Sequence, residues 1–145
     1  MTAVAWLRGA AAVTLLLGIG HMIGSPWTPV SDEPGRQLVE ALHRYHFDAM
    51  GLQRSYEDFY GGFGWMLGAY LVAHAILFWQ LAVLVRAGMP GLRAVVGVLA
   101  LEYAVIAALA GRFLFWVPLG LAATIAVLLA AGAWSLGRRP VPAAA

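Results

Sequence analysis

Apolar positions in this chain fall into four long blocks, roughly 4–23, 59–85, 92–111 and 113–136, with almost no polar interruption. At 1.5 Å per residue, about 20 such residues cross a hydrocarbon layer of about 30 Å, so each block reads as a membrane-spanning helix. The segment between the first two blocks follows another rule. Ser31-Asp32-Glu33-Pro34 offers a capping residue, early acids and a proline in the first turn, and Leu38, Leu42, Tyr45 and Ala49 follow at three- and four-residue steps. That spacing predicts an amphipathic helix over about 34–50, lying on the membrane surface or across the mouth of a bundle. Ser25-Pro26-Trp27-Thr28-Pro29, just before it, reads as an irregular turn with Trp27 at headgroup level. The expected fold is all-α, a four-transmembrane-helix bundle with an amphipathic helix in its long first extracytoplasmic loop, forming one integral membrane domain over residues 1–145.

Composition sharpens this picture mainly by exclusion. With 62% apolar and 11% charged residues, the chain lies far from the soluble average. It has no cysteine, which removes disulfides, thiol nucleophiles and thiolate metal sites. All nine basic residues are arginines, and they form no cluster that would mark a nucleic-acid footprint. Arg8 ahead of an apolar run resembles the start of a signal peptide, but Gly20-His21-Met22-Ile23 makes a poor cleavage site, so the first block is expected to stay as a helix. Arg8, Arg86, Arg93, Arg138 and Arg139 share one side without any acid, while Arg36, Arg44, Arg54 and Arg112 share the other with six carboxylates. Five arginines against four place both termini in the cytoplasm of a bacterial inner membrane.

Two blocks carry stripes of small residues. Gly61, Gly64, Gly68, Val72 and Ala75 form a ridge on the second helix, and Gly97, Ala100, Ala104, Ala107 and Gly111 form one on the third. Such ridges let another helix backbone approach closely, from this chain or from a second copy in a homo-oligomer. A bulkier stripe on the second helix holds Tyr60, Phe63, Tyr70, His74 and Phe78. It suits either aromatic packing or the wall of a ligand site.

Glu102 is the one acid inside the apolar blocks, and a carboxylate at that depth is costly unless paired, protonated or wet. His74 lies twelve residues before Arg86 and Glu102 nine after Arg93, depths of about 18 Å and about 14 Å from the same membrane face. A short turn joins the two helices, so they are antiparallel neighbours and the two groups can meet near the midplane, with Tyr70 and Tyr103 as further polar groups. Their pairing fits either a register-setting contact or a proton-exchanging pair in a dry pocket.

A second polar group collects at the other end of the helices. His21 closes the first block, Arg54 and Asp58 open the second one helical turn apart, and Arg112 ends the third, which predicts a paired network over the bundle mouth. His43-x-x-His46-x-Asp48 has metal-like composition, but on a helix Asp48 would not converge with the two histidines, so no metal site is expected. The run Arg54 to Gly64, together with Gly20-His21, resembles a bacterial family of small four-helix integral membrane proteins of unknown function. That resemblance implies the four-helix topology.

No nucleotide, flavin, zincin or nucleophile-elbow motif is present, so no cofactor is expected. The leading expectation is a site within the bundle for an apolar small molecule, such as an isoprenoid, a sterol-like lipid or a quinone. Tyr60, Phe63, Tyr70, Phe78 and Tyr103 would line it, and Glu102 and His74 would exchange protons in an isomerase, cyclase or hydratase reaction. A non-catalytic membrane subunit that binds a partner through its small-residue faces is the alternative, and a proton-coupled transporter is a third reading. The topology is directly testable: reporter fusions at the two termini should give the same cytoplasmic signal, and a fusion within 30–58 the opposite one. Termini on opposite sides would overturn the count of four spans.

Overall fold

The computed structural model describes residues 2–24 and 30–138. Five helices and one small hairpin follow in order: α1 (Ala3–Gly24), α2 (Glu33–Arg44), β1 (His46–Ala49), β2 (Leu52–Ser55), α3 (Tyr56–Arg86), α4 (Leu92–Phe113) and α5 (Trp116–Gly137). Four of them, α1, α3, α4 and α5, are long and apolar enough to cross a membrane, so this is a multi-pass membrane protein with the expected all-α architecture. Trp27 and its neighbours, and the tail from 139 onward, lie outside the described residues.

Packing divides the chain into two units, 1–17 with 71–145 and 18–70. The first is a four-helix bundle. Its core positions recur at alternating steps of three and four: Ala3, Leu7, Ala10 and Thr14 on α1; Leu71, Ala75, Phe78, Ala82 and Val85 on α3; Val96, Leu99 and Tyr103 on α4; Ala122, Ile125 and Leu129 on α5. This is the seam expected when helices pack at shallow crossing angles. Gly132 of α5 lies against Trp6 and Leu7 of α1, where an added Cβ would stand 3.7 Å from the Trp6 Cβ. Arg8 sits over the Trp79 ring at 4.9 Å, joining α1 to α3. Phe78 and Tyr103 meet edge to face at 5.6 Å and join α3 to α4.

The turn between α3 and α4 uses Gly88 and Gly91 at φ of 79° and 80°, which only glycine adopts without strain. The fourth span starts at Trp116, three residues after the expected Phe113, because the helix ending at Phe113 is capped by Leu114 in a non-helical conformation. Pro118 then falls in the first turn of α5, where its missing N–H costs nothing.

In the second unit α2 begins where the sequence places it. Asp32 caps the helix by accepting from the Gly35 amide at 3.2 Å. A Cβ added at Gly35 would stand 2.1 Å from the Val30 side chain and 2.9 Å from the capping Asp32 carboxylate, so a larger residue there would displace one of them. The expected continuation to residue 50 is wrong. α2 stops at Arg44, and 46–55 fold back as an antiparallel hairpin pairing His46 with Ser55, Phe47 with Arg54, Asp48 with Gln53 and Ala49 with Leu52. Met50 and Gly51 make the turn with φ of 59° and 87°, a two-residue connection whose twist matches that of the strands. Tyr45 and Phe47 had carried the period-two signal of a strand. The side chains of Tyr45, Phe47, Tyr56, Phe59 and Phe63 form a continuous run of ring contacts, with successive centroids 5.0 to 6.4 Å apart.

The α3 glycine ridge receives α1 of the same chain. The His21 Nε2 bonds the Gly64 carbonyl at 2.8 Å, and because a carbonyl only accepts, Nε2 must carry the proton. One turn on, Met22 covers Gly68, where a Cβ would come within 2.3 Å of its sulfur. In the bundle unit, Phe78 is a fully buried core side chain with ring contacts to both His74 and Tyr103. Phe78→Ala should therefore cost about 3 kcal/mol, the lower end for truncating a buried Phe, because lipid-equilibrated unfolding recovers cavity and contact energy but little transfer energy. A destabilisation below about 1 kcal/mol in a reversible denaturation assay in mixed micelles would show that the seam is loosely packed.

Candidate functional site

Within the bundle unit an imidazole on α3 and a carboxyl group on α4 approach each other. His74 projects from α3 and Glu102 from α4, with Nε2 and Oε2 3.9 Å apart. Their side chains are 12% and 34% exposed, so the imidazole lies behind the carboxyl group and the carboxyl opens to the bundle surface. His74 stacks on Phe78 at 5.6 Å and meets Tyr103 edge-on at 5.9 Å. These contacts fix the imidazole plane, so its Nε2 edge is held toward Glu102. The depth match read from the sequence thus corresponds to a real juxtaposition.

Thr14 completes the polar cluster and was missed. Its Oγ1 donates to the Ala10 carbonyl at 2.8 Å, which leaves its oxygen as an acceptor facing the buried Tyr103 hydroxyl. The two hydroxyls are adjacent without completing a hydrogen bond. The available signal was that Thr14 is the one hydroxyl in the first block, though only its placement beside Tyr103 of α4 gives it meaning.

The aromatic residues expected as a wall are divided between the two units. Phe78 and Tyr103 are fully buried and pack on each other. Tyr60 and Phe63 are 61% and 64% exposed and Tyr70 36%, and all three belong to the other unit. One helical stripe in sequence became two environments because α3 passes from one unit into the other.

The mouth network also takes another form. Arg54 is on β2, not one helical turn before Asp58, and its guanidinium donates to the Gln53 carbonyl. Asp58 instead accepts from the Ser55 amide at 2.8 Å, while Ser55 Oγ accepts from the Asp58 amide at 3.1 Å. This reciprocal pair is a capping box that starts α3, with Ser55 buried at 2% exposure. His21 is used on Gly64, and Arg112 lies over the Phe113 ring at 5.2 Å in the bundle unit.

The loop histidines have local partners. His43 bonds Glu57 at 2.5 Å and ties the end of α2 to the start of α3, and His46 Nδ1 donates to the Arg44 carbonyl at 3.0 Å. Asp48 accepts from the Gly51 amide and supports the hairpin turn. Among the described residues no group of three or more His, Cys, Asp or Glu side chains is placed to hold a metal ion.

No protein-family model matches this chain, and neither curated proteins nor solved structures yield a significant match. The resemblance carried by 54–64 and Gly20-His21 therefore assigns no family, and function has to be argued from the geometry. For the capping box the geometry gives a definite scale. Asp58→Ala should destabilise the fold by about 1 kcal/mol, the usual cost of losing a cap, and Asp58→Asn by less. A loss of about 3–5 kcal/mol, rescued by exchanging Arg54 and Asp58, would instead reveal a buried ion pair between them.

Proposed function

We infer that this protein takes an apolar small molecule bearing one polar group at the Glu102–His74 pair and exchanges a proton with it. The approach of those two side chains to 3.9 Å between apolar helices is the observation that carries the reading. An intramembrane carboxyl beside an imidazole is costly to keep, and such groups mark chemistry or transport more often than they mark packing. Glu102, the more exposed partner, meets the molecule's oxygen or double bond. His74, held by Phe78 and Tyr103, takes up or returns the proton.

Entry from the bundle surface suits a substrate already dissolved in lipid, of the isoprenoid, sterol-like or quinone class. The matching reactions are isomerisation, cyclisation or hydration, each of which needs one group to give a proton and another to take one. In this reading the protein resides in the bacterial cytoplasmic membrane, with the arginine-rich ends of its spans and both termini in the cytoplasm. The subunit alternative loses one of its two docking faces, since α1 already occupies Gly64 and Gly68.

Glu102→Gln separates chemistry from packing, because the amide keeps the shape and removes the acid. It should abolish co-purification of a stoichiometric apolar ligand, or its turnover, by at least about tenfold while leaving thermal stability unchanged; losing one charge-assisted hydrogen bond is worth about that much. Full ligand retention in Glu102→Leu, accompanied by higher stability, would sink the proposal and leave Glu102 as a dispensable structural group.

A further inference from the structure

Beside the buried seam of α4, where that helix packs on α5, an open groove of about 620 Å³ lies on the surface of the bundle unit. Gly97 and Ala100 of α4 and Ala130 and Ala133 of α5 form its walls, and Arg93 and Trp134 stand at one end. From Arg93 to Ala100 the groove extends about 10 Å along α4. Its walls carry no side chain longer than a methyl group, and an added Cβ on Gly97 would meet nothing within 4 Å. The space is therefore open because the sequence leaves it open, not because a flexible side chain has swung aside.

The polar end is cationic and held in place. The Arg93 guanidinium lies on Gly137 at the end of α5, where an added Cβ would stand 2.8 Å from its Cζ. The partial negative charge at that helix terminus favours the cation, and a guanidinium with five donors keeps some of them for a ligand. Arg138 stacks on the Trp134 ring at 5.1 Å, which brings a second guanidinium beside the same end. Among the described residues, neither arginine is paired with a carboxylate, for the ion pairs there involve Arg36, Arg44, His43 and His74. The sequence places no acid on this side of the spans, so the two charges have no counter-ion supplied by the chain's own side chains.

We propose that this groove holds an acyl chain of an anionic phospholipid, with the lipid phosphate on Arg93 and Arg138 beside Trp134. A narrow apolar slot fits a linear hydrocarbon chain, and two arginines with an interfacial tryptophan fit a phosphate at headgroup depth. Arginine presents its donors in a fork that matches phosphate oxygens, so the recognition is geometric as well as electrostatic. The charge at the rim distinguishes this occupant from a second copy of the chain, whose matching face would bring like charges together. The site is separate from the Glu102–His74 pair and does not depend on its function.

Phosphatidylglycerol and phosphatidylcholine with identical acyl chains, titrated into the detergent-solubilised full chain and followed by native mass spectrometry, test the assignment. Phosphatidylglycerol should bind at least about tenfold more tightly, the scale expected for two arginines at a membrane surface. R93Q/R138Q should bring the two lipids to equal affinity. Gly97→Leu fills the groove without a backbone clash and should weaken binding of both lipids, with an unchanged melting temperature reporting an intact fold. Equal binding of the two lipids by the unaltered protein would overturn the proposal. So would Gly97→Leu with undiminished phosphatidylglycerol binding, and if that variant also converts a dimer to a monomer, the groove belongs to a second copy instead.

Discussion

The bundle depends on close approach along seams of small and medium side chains, because in lipid the solvent is as apolar as the core. Hydrophobic sorting, which tells a soluble helix which face to bury, gives no direction here. What remains is contact: many atom pairs at van der Waals distance, each weak, summed along the length of a span. The three-and-four spacing of Ala3, Leu7 and Ala10, with Leu7 against Gly132, and the packing of Phe78 on Tyr103 supply that contact. Every other feature of the bundle unit, including the position of its titratable pair, follows from how those seams set the helix rotations.

Polar groups then act as exceptions that must each be accounted for. Thr14 spends its donor on Ala10, His21 its Nε2 proton on Gly64, and Arg8 rests on the face of Trp79. All three let a polar side chain lie in an apolar span without an ion pair, Thr14 within its own helix and the other two against α3. The Glu102–His74 approach differs from them, because it joins two titratable groups from different helices and leaves the carboxyl partly open. That contrast is the physical basis for treating it as a site.

The second unit is organised by helix ends. Asp32 caps α2, Ser55 and Asp58 cap α3, and His43 with Glu57 links the two helices across the hairpin. Charged residues that resemble a gate or a metal cluster in sequence are therefore engaged in starting helices and closing a turn. The capping box also explains why α3 begins at Tyr56, three residues before its apolar block: the cap satisfies amides that the start of a helix leaves exposed.

Much of this was legible in the sequence, and the division has a physical cause. Span length is a local property of consecutive residues, so the four helices, the cap at Asp32 and the common depth of His74 and Glu102 could be read without a structure. The hairpin could not, because Met50-Gly51 is a weak turn signal and the helical spacing of Leu38, Leu42 and Tyr45 overrode the alternation of Tyr45 and Phe47. Nor could the fate of the aromatic stripe or the partner of the glycine ridge be read. Helix rotation is invisible when all faces of a span are apolar, and a small-residue ridge announces a neighbour without naming it. Only tertiary packing decided that α1 fills Gly64 and Gly68, that Phe78 and Tyr103 turn inward, and that the face at Gly97 stays open.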